Sequence, residues 1–138
     1  MSTIPTPPLP LRAWRRQIQC SMLRTDGPKS ERRRVRVLRR DGYRCVYCGR
    51  DFLASVDDLF AATVDHVVSR RAGGKSTMDN MVACCRACNT LKAHAVVNSI
   101  DQAKKVIAKQ RDLAAEVFEE GAARFGFPFP RQQKGGAA

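Results

Sequence analysis

The sequence predicts a small α+β domain, a β-hairpin packed on a helix with its base stapled through cysteines. Three observations predict it. Two CxxC pairs, Cys45/Cys48 and Cys85/Cys88, stand 36 residues apart. Between them runs the β-branched stretch Ala62-Thr63-Val64-Asp65-His66-Val67-Val68, answered by a second apolar run from Asn80 to Cys84. After Cys85 the pattern turns helical, from about Arg86 to Val97.

The chain has 138 residues, enough for one small domain with tails. A core of that size is marginal without an added constraint, and a metal staple is a natural one. Two thiolates two residues apart converge on one ion, and Gly49 lets the backbone turn past it. Two such pairs predict a tetrahedral structural Zn2+ held by Cys45, Cys48, Cys85 and Cys88, against unligated core cysteines as the alternative. The interval between the pairs exceeds the ~15–20 residues of a compact zinc ribbon, so a substantial element is inserted there. Cys20 and Cys84 remain; Cys84 reads as a small buried hydrophobe rather than a fifth ligand.

No apolar run is long enough for a bilayer span, and Pro5, Pro7, Pro8 and Pro10 occupy the place of a signal-peptide core. The expectation is an intracellular, cytoplasmic protein without a membrane partner, whose cysteines bind metal rather than pair. The net charge of +12 is concentrated: residues 1–50 carry 13 Lys and Arg against 3 Asp and Glu, while residues 51–95 balance at 5 against 5. Such asymmetry points first to a polyanionic partner such as nucleic acid, with an anionic membrane surface second and a merely solubilising face as the bland alternative.

In chain order, residues 1–29 form a Pro- and Arg-containing arm, with a short helix predicted over Leu11–Leu23 that carries the packing residues Trp14, Ile18 and Met22. Ser30 N-caps a second helix, with Val35 and Leu38 as its apolar pair. Among its arginines, which include Arg33, Arg36 and Arg40, those in the first turn oppose the helix dipole, and phosphate binding explains them better, with a simply solvated face as the alternative. Asp41-Gly42 ends it. The insertion then supplies the hairpin, with the basic loop Arg70-Arg71-Ala72-Gly73-Gly74-Lys75-Ser76 between the strands. Ser99 and Gln102 read as a capping box opening a helix that reaches Gly121, its apolar stripe of Ile100, Ala103, Val106, Ile107, Leu113, Val117 and Phe118 covering the core or offering a dimer surface. The predicted divisions are thus 1–29, 30–97, 98–121 and a largely disordered tail at 122–138.

Taken together, Arg40-Asp41-Gly42-Tyr43-Arg44-Cys45-Val46-Tyr47-Cys48-Gly49, Val64-Asp65-His66, Gly73-Gly74, Asp79-Asn80-Met81-Val82 and Cys85-Arg86-Ala87-Cys88-Asn89-Thr90-Leu91-Lys92 resemble the HNH endonuclease superfamily, in its branch with two CxxC knuckles. The resemblance covers about Val37 to Ala95 and implies a ββα-metal finger that cuts a phosphodiester strand with one divalent ion. It implies that Asp65 ligates Mg2+ or Mn2+, that His66 is the general base, that Asn80 fixes the loop or the orientation of His66, and that Asn89 supplies the second metal ligand. Asn89 stands where many relatives carry His, and the Pro that often follows the Asp-His pair is absent.

The chemistry of these residue types agrees. Imidazole titrates near neutrality and can deprotonate water, and a hard cation near the scissile phosphate offsets transition-state charge. An Asp and Asn shell favours such an ion. His94 is a further candidate for metal or phosphate contact, with an ordinary surface residue as its alternative. Lys92 reads as a phosphate contact or a helix-surface lysine; Arg33, Arg36, Arg40, Arg70, Arg71 and Lys75 are the other expected nucleic-acid contacts. The reading is a metal-dependent endonuclease acting on DNA, monomeric or homodimeric, with no small-molecule substrate. The alternatives are a non-catalytic zinc module that binds nucleic acid, and a nuclease acting mainly on RNA or structured DNA.

Overall fold

The computed structural model describes residues 28–126. The arm before Pro28, with the helix expected at Leu11–Leu23 and Cys20, and the tail after Gly126 lie outside the described residues. Helix α1 spans Pro28–Arg40, so Ser30 lies within it rather than capping it. It buries Val37 completely and Leu38 nearly so, whereas Val35, expected as half of the apolar pair, is only half-buried. Gly42 (φ 64°) and Tyr43 (φ 55°) carry the chain out of the helix in left-handed conformation. The Asp41 carboxylate accepts from the Ala83 N–H at 2.8 Å, tying this corner to the sheet.

The first cysteine knuckle follows as a tight turn, in which the Gly49 N–H donates to the Cys45 carbonyl at 2.8 Å and Gly49 takes φ 78°. The Val46 N–H donates to the Ala83 carbonyl at 2.9 Å, so the knuckle hangs on the second strand. Phe52 is fully buried beneath it. A one-turn helix α2, Val56–Phe60, is capped by Ser55 and delivers the chain to β1, Ala62–His66.

β1 pairs antiparallel with β2, Met81–Cys85, in a two-stranded sheet whose register runs from Ala62 opposite Cys85 to His66 opposite Met81. Every residue of β2 is buried, because α1, the knuckle and the following helix all cover it. Cys85 turns the strand directly into α3, Arg86–Lys92, and Ala93 at φ 44° stops that helix well before the expected Val97. The result is a small α+β fold whose ββα unit is closed by four cysteines.

Helix α4, Ile100–Phe125, packs on α3. Ser99 accepts from the Gln102 N–H at 3.2 Å, and Gln102 Oε1 reaches back to the Asn98 N–H rather than to Ser99 itself. The helix passes through Gly121 to Phe125, four residues beyond the expected stop, and is closed by Gly126 (φ 70°). Its stripe divides. Ala103, Ile107 and, near the helix end, Ala122 are buried, whereas Leu113, Val117 and Phe118 are exposed along a groove beside the end of α3. Among the described residues no helix is long and apolar enough to cross a membrane.

Candidate functional site

The sulfur atoms of Cys45, Cys48, Cys85 and Cys88 all lie within 4.8 Å of one another, and those of Cys48 and Cys85 are 3.7 Å apart. Four thiolates at ~2.3 Å from one tetrahedral ion stand ~3.8 Å apart, so the cluster fits Zn2+. The Cys45 thiol is pulled down to about 4, chiefly by its hydrogen bond with the Cys84 thiol and further by surrounding backbone amides. Cys84 is fully buried outside the cluster, its own pKa raised by that contact and by burial. The Cys88 N–H donates to Cys85 Sγ at 3.4 Å, and Arg111 of α4 donates to Cys88 Sγ at 3.6 Å. Both are donors of the kind that neutralise a thiolate-rich zinc site.

Above this base the hairpin presents Asp65 and His66 at adjacent strand positions, hence on opposite faces. Asp65 faces inward. Its Oδ2 accepts from the Tyr47 hydroxyl at 2.7 Å and from Lys92 Nζ at 3.0 Å. Burial and the neighbouring carboxylate push the Tyr47 phenol far above its ordinary pKa, so it remains a donor. Asp65 Oδ1 has no hydrogen-bond partner among the described residues, and it is not sealed from solvent. One carboxylate oxygen is therefore held by the protein and the other is open.

His66 is half-buried, and its Nε2 lies 2.9 Å from Ser76 Oγ across the loop. Its pKa is lowered below the ordinary 6.5, mainly by burial; Asp65 opposes this, while Arg70, Lys92 and Arg33 add to it. The imidazole is thus neutral at pH 7, inside a basic rim.

Asn80 holds the loop. Its Oδ1 accepts from the Val68 N–H at 2.8 Å, and its Nδ2 donates to the Val68 carbonyl at 3.0 Å and the Lys75 carbonyl at 2.9 Å. These bonds tie both sides of the loop to Asn80, while Ser76, not Asn80, touches the imidazole. Asn89, on α3 directly after Cys88, is half-buried and its amide makes no hydrogen bond among the described residues. The open Asp65 oxygen and the uncommitted Asn89 amide are hard donors of the kind Mg2+ or Mn2+ takes, completed by water and phosphate oxygens.

One expected phosphate contact is corrected. Lys92 is 2% exposed and is neither a phosphate contact nor a surface lysine: its Nζ is spent on Asp65 and on the His66 carbonyl at 2.9 Å. Arg40 is a clasp between elements, bonded to the Met78 and Met81 carbonyls at 2.7 Å each and to both oxygens of Asp41. Arg36, Arg70, Arg71 and Lys75 are exposed and Arg33 is half-buried. His94 is exposed and lines a groove of about 540 Å³ with Leu91, Val106 and Val117 between α3 and α4. Tyr47 and Ser76 were not foreseen. Nothing in spacing marks Ser76, whereas Tyr47 sits between two ligands of one ion and so could not lie far from the site.

No curated protein and no solved structure matches the chain to significance. The model of the HNH endonuclease family matches residues 45–95, the stretch that holds both cysteine pairs, the Asp65-His66 hairpin and Asn89. Residues 45–95 are thus similar to an HNH endonuclease domain.

Proposed function

We propose that the protein is a divalent-metal-dependent endonuclease that hydrolyses phosphodiester bonds of DNA, with His66 as the general base. The observation that carries this reading is the pairing, on one strand, of a neutral, half-buried imidazole with a carboxylate of which one oxygen is open. In the tautomer whose Nε2–H donates to Ser76 Oγ, Nδ1 bears the lone pair. That nitrogen takes the proton of the attacking water, as the water oxygen bonds to phosphorus and the 3′ oxygen departs. Asp65 Oδ1 and the Asn89 amide would hold Mg2+ or Mn2+, which when bound supplies charge neutralisation at the phosphate and the leaving oxygen. Arg33, Arg36, Arg70, Arg71 and Lys75 would fix the nucleic-acid backbone across the face where His66 opens. Zn2+ in the four-cysteine cluster takes no part in the reaction and holds the two halves of the site together.

The test is conversion of supercoiled plasmid to nicked and linear forms by the wild type and by His66→Ala, in Mg2+, Mn2+ and EDTA. His66→Ala spares every zinc ligand, so the fold should survive. The expected result is cutting by the wild type with added metal and none by the variant. Equal cutting by both would remove His66 as the base. Inactivity of both on plasmid, single-stranded DNA and RNA, with binding retained, would favour a non-catalytic nucleic-acid-binding module; cutting of RNA alone would reassign the substrate.

A further inference from the structure

We propose that Lys92 and Tyr47 are positioning residues for Asp65: together they hold Oδ2, compensate its charge and leave only Oδ1 for a divalent cation. The inference rests on the reading of Asp65 as a metal ligand.

Three observations lead to it. The Lys92 side chain is 1% exposed, and its ammonium lies 3.0 Å from Asp65 Oδ2. A buried ammonium costs several kcal/mol to desolvate, and a lysine that only needed packing would be replaced without loss by an apolar side chain. Second, the Tyr47 hydroxyl binds the same oxygen at 2.7 Å, not the other, so both donors converge on one side of the carboxylate. Third, each donor is anchored by the zinc cluster. Tyr47 lies between Cys45 and Cys48, and Lys92 stands four residues after Cys88 on the same face of α3. The four cysteines therefore set the position of both donors, and the donors set the rotamer of Asp65.

Charge makes this more than bracing. With Lys92 in place the Asp65–Lys92 pair is neutral, and the remaining donor proposed for the ion, the Asn89 amide, is uncharged. A divalent cation then meets a protein shell with no net charge and is held weakly until phosphate oxygens join it. Removing the ammonium would leave a carboxylate with its full charge open to the ion. Affinity for the metal alone should rise while the geometry for cutting is lost.

The experiment measures Mn2+ binding to the zinc-loaded, DNA-free full chain by the electron paramagnetic resonance signal of free Mn2+, alongside plasmid nicking. Asp65→Asn tests the underlying reading, and Lys92→Met and Tyr47→Phe test the inference. Asp65→Asn should lose Mn2+ binding. Lys92→Met should bind Mn2+ about tenfold more tightly than wild type and nick at least tenfold more slowly, a split that bracing alone does not produce. Tyr47→Phe, which removes one oxygen and keeps the ring, should shift both quantities the same way by about threefold, and it decides the matter if Lys92→Met does not fold. If Asp65→Asn loses Mn2+ but the folded Lys92→Met and Tyr47→Phe variants bind it as wild type does, the positioning role is wrong and the metal-site reading stands. If Asp65→Asn binds Mn2+ as wild type does, Asp65 is not a ligand and both fall.

Discussion

Adding one methyl group at Gly74 should damage this protein more than adding one at Gly73, although Gly73 has the less permissive backbone. Gly73 takes φ 86°, yet a Cβ there meets nothing within 4 Å. Gly74 has no such φ, but a Cβ would stand 1.9 Å from the Val68 carbonyl oxygen, 2.6 Å from its carbon and 2.9 Å from Asn80 Nδ2. The obstacle is backbone, so it cannot swing aside; one strand of the loop must move by more than an ångström. That displacement breaks the Gly74 N–H bond to the Ser69 carbonyl at 3.0 Å and the Asn80 bond to the Val68 carbonyl at 3.0 Å. At about 1 kcal/mol for each of the two bonds and ~1–2 kcal/mol of residual crowding, Gly74→Ala should cost ~3–4 kcal/mol. For a domain of this size that lowers Tm by about 10–20 °C. Gly73→Ala should cost only ~1 kcal/mol, the penalty of a left-handed alanine. Thermal unfolding of the zinc-loaded protein followed by circular dichroism measures both. A Gly74→Ala variant that melts within about 2 °C of wild type, or above Gly73→Ala, would refute the close approach and the loop described around it.

The basic residues should separate by role: Arg40→Ala loses two bonds between elements and should cost ~1–2 kcal/mol in unfolding, while Arg71→Ala melts as wild type, binds DNA more weakly and lowers the salt slope by about 1. The rate of cutting should fall as pH drops through the lowered pKa of His66, because the base is the neutral form; the acid limb of kcat/KM should be centred below 6.5, and a limb above it would contradict the burial described. Bound divalent metal moves that limb the same way, since a cation disfavours imidazolium. Stripping Zn2+ with a strong chelator should unfold β2 and α3 together, seen as loss of far-ultraviolet signal, because beside the cluster only a few bonds, such as Val46 N–H to the Ala83 carbonyl, join ligand pairs 36 residues apart.

Much of this arrangement was legible before any coordinates. Thiolates at CxxC spacing have few other uses, so the staple was readable, as was the hairpin between them, where β-branched residues alternate around Asp65 and His66. What failed was the assignment of direction to long side chains. Lys92 was read as outward because lysines usually are, although Cys88, four residues earlier, already marked that face of the helix as inward. Arg40 was counted with its neighbours by charge, while the adjacent Asp41 and the exit from α1 turn its fork back toward Met78 and Met81. The stripe of α4 failed for a different reason. Periodicity marks an apolar face but not how closely the rest of the fold shuts on it: the end of α3 meets Leu113, Val117 and Phe118 only across an open groove.

The same observations explain why so small a domain can carry a buried ion pair at all. Asp65 with Lys92 brings no net stability over an apolar pair, and its desolvation is a burden to a core as thin as Phe52, Val82, Val97 and Ile107 provide. The pair persists only if its geometry is imposed from outside, by bonds stronger than the packing. The cysteine cluster imposes it from both sides, through Tyr47 in the first knuckle and through the single turn from Cys88 to Lys92 in the second. Asn89 lies in that same turn. The four-cysteine cluster, proposed to hold a metal that performs no chemistry, thus lies within a few residues of both donors to Asp65 and of the amide proposed as its co-ligand.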